Sequence, residues 1–169
     1  MCKAFSQVNP DDSVPLFFDA FKEHLEWDLN CPYLFLEYLI ERKGQNVHNV
    51  LFPECDSADR KKFKKVHSLN NKDIIQLACI AKLSKTELLE FMAYCGNSFS
   101  PRSMIDRAII KALKLWPFEK LEDLRGFIED ETDGIDINFE KLTPRDEKLD
   151  CAWLTPKERY ELLQDRTIY

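Results

Sequence analysis

Four glycines in 169 residues leave this chain few places to turn tightly or to bring backbone against backbone. Leucine and phenylalanine meanwhile recur at spacings of three and four, the period of a helix that buries one stripe. Together these features predict a mainly α fold. We read it as a compact multi-helix bundle with a short extended or strand segment and a last helix in a C-terminal tail.

The punctuation sets the elements. Asp11-Asp12-Ser13 and Pro15 open an amphipathic helix through Leu16, Phe17, Phe18, Phe21, Leu25 and Leu29. Asn30-Cys31-Pro32 interrupts it, because proline disfavours helical geometry in the residue before it. Leu34, Phe35, Tyr38 and Leu39 line a second helix ending near Lys43-Gly44, and Val47, Val50 and Leu51 a short third one stopped before Pro53. Residues 54–69 are polar and read as an exposed connection that can include a helical turn. Asn70 caps a helix burying Ile74, Leu77, Ala78 and Ala81. Ser84-Lys85-Thr86-Glu87 is a capping box, in which serine and glutamate each satisfy the other's free amide.

That box opens a helix closed by Gly96-Asn97. Ser100-Pro101 supplies a cap and a first-turn proline for a helix through Ile105, Ala108, Ile109, Ala112 and Leu113. Leu121, Leu124, Phe127 and Ile128 give one more. The acidic turn 129–134 follows, then the alternating Ile135-Asp136-Ile137-Asn138-Phe139, then Thr155-Pro156-Lys157-Glu158 opening a final helix. The chain divides into a helical body, 14–128, and an acidic tail, 129–169. Within the body, 16–83 hold the first helices and 84–128 add further ones.

Charge is distributed unevenly. Residues 60–118 hold twelve basic and four acidic side chains, while the segments before and after each carry a net −7, for −6 over the chain. A basic middle between acidic ends suits a local anionic ligand, or neutralises its own flanks. Apolar residues are 44% and charged residues 32%, as in a soluble globular domain. The six cysteines are scattered without a Cys-x-x-Cys pair, and no basic-then-apolar leader is visible. Both point to a reducing, cytoplasmic setting.

Several chemistries lack their signatures. His24, His48 and His67 have no metal-ligand spacing, and Glu129-Asp130-Glu131 lacks the oxygen spacing of a calcium loop. There is no phosphate-binding glycine loop, nucleophile elbow or His-Glu-x-x-His. The expectation is a non-catalytic protein with no cofactor and no metal, in which Trp27, Trp116 and Trp153 serve packing.

A longer pattern runs through Asn71-Lys72-Asp73, Leu77-Ala78, Leu83-Ser84, Glu87-Leu88, Cys95-Gly96-Asn97, Ser100-Pro101, Asp106 and Ile109-Ile110. With the helix order upstream, residues 14–113 resemble a divergent phage-repressor (Cro-like) helix-turn-helix regulator. The resemblance implies a helix-turn-helix-like core over 16–83 and a DNA-binding transcriptional regulator, and allows a homodimer. Asn46–Leu51 would be its major-groove helix, read through Gln45, Asn46, His48 and Asn49. Lys61, Lys62, Lys64 and Lys65 would hold phosphates. Convergence of those lysines with Arg102, Arg107 and the 45–49 segment on one face would favour DNA. The alternative is a helical interaction module or inhibitor, encoded by a phage or mobile element, whose acidic ends occupy a basic surface of a nucleic-acid-binding partner.

Overall fold

The structure, a computed structural model, describes residues 32–52, 54–65, 69–95, 97–139 and 156–167. Among these the chain is mainly helical and forms no strand. The helices are α1 (Pro32–Arg42), α2 (Val47–Leu51), α3 (Ser57–Lys65) and α4 (Asn71–Ile80). After them come α5 (Lys85–Cys95), α6 (Met104–Lys114), α7 (Leu121–Glu131) and α8 (Pro156–Thr167). The helix expected over 16–29 lies outside the described residues, as do Trp27, Trp153, His24, His67, Gly96 and Thr155.

Local chemistry explains most boundaries. Pro32 starts α1, where its missing amide costs nothing. Gly44, at φ +76°, lets the chain leave α1, with its amide donating to the Glu41 carbonyl at 2.9 Å. Asn70 caps α4 by accepting from the Asp73 amide at 3.0 Å. The Ser84 box closes in both directions: the Ser84 amide donates to Glu87 at 3.0 Å and the Glu87 amide to Ser84 Oγ at 3.1 Å.

Two expectations are corrected. First, α6 begins at Met104, with Ser103 as its cap accepting from the Asp106 amide at 3.1 Å. Ser100-Pro101 instead forms the turn before it, the Ser103 amide donating to the Ser100 carbonyl at 3.1 Å. Asp106 decides the matter, because its carboxylate also accepts from the Ser100 amide at 2.7 Å and from Asn71 Nδ2 at 3.0 Å. Second, the connection 54–69 contains a nine-residue helix, α3. One apolar aromatic in that span is too weak a pattern to announce a helix, yet once buried it suffices to hold one.

α4 is the central element. It packs on α2, α5, α6 and α7, and every residue from Asp73 to Ile80 is buried. α5 packs on α1, α4 and α8, and α1 packs on α2 and α3. The core runs continuously from Tyr33, Leu36 and Ile40 through Leu51, Phe63, Leu77, Leu88 and Phe91 to Ile109, Leu113, Leu124 and Ile128. Ile137, Phe139, Tyr160 and Leu163 from the tail belong to it as well. The alternation at 135–139 is real, with Ile137 and Phe139 buried and Asp136 exposed, but the segment is an arm on the bundle with no strand partner among the described residues. Trp116 packs from the α6–α7 connection and donates Nε1–H to the Leu83 carbonyl at 2.8 Å. Cys55, Cys79 and Cys95 are buried, and burial lifts the first two thiols to about 12 and about 11.

Candidate nucleic-acid interface

The residues with the chemistry for an anionic ligand sit on α2, α3 and the turn that leads into α2. Asn46 caps α2, its side-chain oxygen accepting from the Asn49 amide at 3.1 Å. That bond is why five residues hold a helix at all. Gln45, Asn46, His48 and Asn49 are all exposed, while Leu51 is buried and Val47 and Val50 half-buried. α2 thus lies against α1 and α4 with its polar residues outward.

α3 opens with its own reciprocal cap. The Asp59 amide donates to Asp56 Oδ1 at 2.8 Å, and the Asp56 amide to Asp59 Oδ2 at 3.3 Å. The carboxylates thereby gather at the positive end of the helix, and Arg60, Lys61, Lys62, Lys64 and Lys65 follow toward its negative end. Phe63 is fully buried, stacked on Tyr33 of α1 with centroids 6.1 Å apart. At ~100° per residue, positions 61 and 65 fall on the side of α3 away from Phe63, and Lys61 is exposed.

One contact joins the two helices. Arg60 Nη1 donates to His48 Nδ1 at 2.8 Å, and the His48 ring stacks on Phe52 at 5.5 Å. Because a guanidinium has no acceptor, Nδ1 carries no proton in this arrangement. His48 therefore holds Arg60 in place, and Asn46 is occupied as a cap. Sequence reasoning missed Arg60 and the Asp56/Asp59 cap as parts of this surface. The Asp-x-x-Asp spacing was the signal that could have found them.

The structure brings the 45–49 segment beside α3, but the basic residues of α6 belong elsewhere. α6 packs chiefly on α4, α7 and α8. There Arg107 donates to the Pro101 carbonyl at 2.7 Å and Lys111 pairs with Glu131 at 2.9 Å. Of the twelve basic residues of the chain's middle, five thus lie on α3 and three on α6, while Lys72, Lys82, Lys85 and Arg102 lie elsewhere. A groove of about 950 Å³ runs along α7 and reaches the α2–α3 connection at Glu54, lined also by Glu119, Glu122, Asp123, Glu129 and Asp130, with Lys82, Lys120 and Arg125 among them.

Several carboxylates are buried in the bundle. Glu87 bonds Lys43 Nζ at 2.8 Å, tying α1 to the start of α5. Glu90 is fully buried with neither oxygen hydrogen-bonded, and its carboxyl is pushed up to about 9 by burial, then by the Glu87 charge, against the pull of Arg42. Asp73 is also fully buried, and burial raises it to about 6 against the opposing pull of Lys72 and Asn70. No group of three or more His, Cys, Asp or Glu side chains among the described residues could hold a metal ion, and no described helix is long and apolar enough to cross a membrane. No family model, no curated protein and no solved structure matches the chain.

Proposed function

We propose that the chain is a non-catalytic DNA-binding regulator that places α3 in the major groove, with α2 as the helix before it. The observation that carries this reading is α3 itself. It is a nine-residue helix, anchored through the buried side chain of Phe63, with five of its nine residues cationic. A helix of that kind matches the groove's width, and its lysines neutralise phosphates and release counterions. The exposed Gln45 and Asn49 flank it as further hydrogen-bonding groups. The Cro-like resemblance of residues 14–113 favours a DNA-binding regulator but gives the groove to Asn46–Leu51, that is to α2; the choice of α3 rests on its cations. A homodimer would place two such helices on two half-sites.

Fluorescence anisotropy with duplex DNA, beginning with the promoter of the chain's own gene, tests this over a salt titration from low to physiological ionic strength. Binding should weaken steeply with salt. The double substitution Lys61→Glu, Lys65→Glu should lower affinity and reduce the log–log salt slope by about 2, roughly one for each phosphate no longer neutralised. Absence of binding at low salt, or a slope unchanged by the substitution, overturns the proposal.

The carboxylate-lined groove along α7 favours a second reading, an interaction module or inhibitor that takes a basic partner. Salt-sensitive capture of a basic nucleic-acid-binding protein, lost on Glu122→Lys and unaffected by the α3 substitutions, would select it.

A further inference from the structure

The arm after α7 reaches back to the helix assigned to DNA. Thr132 Oγ1 donates to the Ile128 carbonyl at 2.6 Å, and Asp133 and Gly134 take φ of 57° and 100°. The Gly134 amide closes on the Glu129 carbonyl at 2.8 Å, the wide bond that ends a helix and reverses the chain. The arm then lies on the bundle, held by Lys72 Nζ donating to the Asn138 carbonyl at 3.0 Å. Arg125 sits over the Phe139 ring, 5.7 Å from its centroid. The guanidinium is itself fixed, since Nε donates to the buried Gln76 Oε1 at 2.8 Å while Gln76 Nε2 donates to the Lys72 carbonyl. Phe139 ends in an edge-to-face contact with Phe63, centroids 5.3 Å apart and rings at 78°.

Phe63 is fully buried and anchors α3 to the bundle, so what walls Phe63 sets how α3 lies. Tyr33 of α1 packs against one part of its ring and Phe139 of the arm against another. We propose that Phe139 is a positioning residue for α3: the docked arm fixes the orientation in which α3 presents its cations, and release of the arm frees α3 without unfolding α4–α6. The consequence for DNA rests on the proposed function, whereas the coupling of arm to α3 does not.

Hydrogen exchange by mass spectrometry on the full-length chain separates the two. Phe139→Ala should speed exchange of residues 57–65 by roughly tenfold or more, as removal of an aromatic pair and its burial implies, while 85–95 keeps its protection. Phe139→Leu should restore most of the protection at 57–65. Leu163→Ala, a core truncation on α8, should leave 57–65 as in the parent. DNA affinity should fall with Phe139→Ala and recover with Phe139→Leu. Uniform loss of protection in every helix, or unchanged exchange at 57–65, overturns the proposal. Should Phe139→Ala not fold, Phe139→Leu and Phe139→Val are compared in the same way, and equal exchange at 57–65 in both and the parent counts against it. Failure of the parent chain to bind DNA removes the functional reading alone, and the exchange data still decide the coupling.

Discussion

Asp73 stands in the first turn of the central helix, fully buried, with neither oxygen in a well-formed hydrogen bond, only the weak pull of the Asn70 side chain, and the Lys72 ammonium 3.9 Å away. Burial raises its carboxyl from 3.8 to about 6. A rise of about two units corresponds to roughly 3 kcal/mol between the two protonation states. The sign follows from proton counting. Between the unfolded and folded values the native state holds a proton that the unfolded chain has released. The stabilisation is therefore fully present below about pH 4 and is lost as pH rises through 6.

Asp73→Asn removes the ionisation and keeps the shape. The asparagine amide brings its own cost, on the order of 1–3 kcal/mol if unbonded, but that cost does not change with pH. The informative quantity is the stability of the variant minus that of the parent. It should climb by about 3 kcal/mol between about pH 4 and about pH 7.5, since the other carboxylates titrate alike in both chains and cancel. Urea unfolding followed by far-ultraviolet circular dichroism at both ends of that range and at its middle measures it. In thermal melts the same difference is roughly 6–12 °C for a chain of this size. A difference constant within ~0.5 kcal/mol across that range, or one that shrinks as pH rises, refutes the reasoning that α4 buries a carboxylate without a well-formed hydrogen bond.

Glu90→Gln follows the same logic over a different window. With the folded carboxyl near 9 and the ordinary value 4.5, Glu90 is neutral in the fold at neutral pH and ionised in the unfolded chain. The parent should lose stability steadily from about pH 5 to about pH 9, by at most ~1.4 kcal/mol per unit from this group, and the variant should be flatter; parallel pH profiles would contradict this. Ser84→Ala deletes one half of the capping box at an exposed residue, so the loss should be about 1 kcal/mol by urea unfolding. A change below ~0.3 kcal/mol would show that the cap contributes little beside the packing of α5.

What could be read from the sequence is what depends on neighbours three or four residues apart. Ser84 with Glu87, Asn70 with the Asp73 amide, Pro32 at a helix start and Gly44 after a helix end are complete within one turn of chain. The mainly α class followed from the same short-range periodicity. α3 was not legible, because its stability comes from Phe63 finding Tyr33 and Phe139, which lie far before and far after it in the chain. The start of α6 shifted for a related reason: Asp106 was recruited by Asn71, distant in sequence, as well as by the local Ser100 and Ser103. The candidate site divided in the same manner. The basic run was plain, but its being helical, its bond to His48 through Arg60, and its separation from Arg107 were decided only when α1, α4 and the arm packed. Burial decided the rest, because a carboxylate such as Glu90 reads as a solvated charge until the fold closes over it and takes the water away.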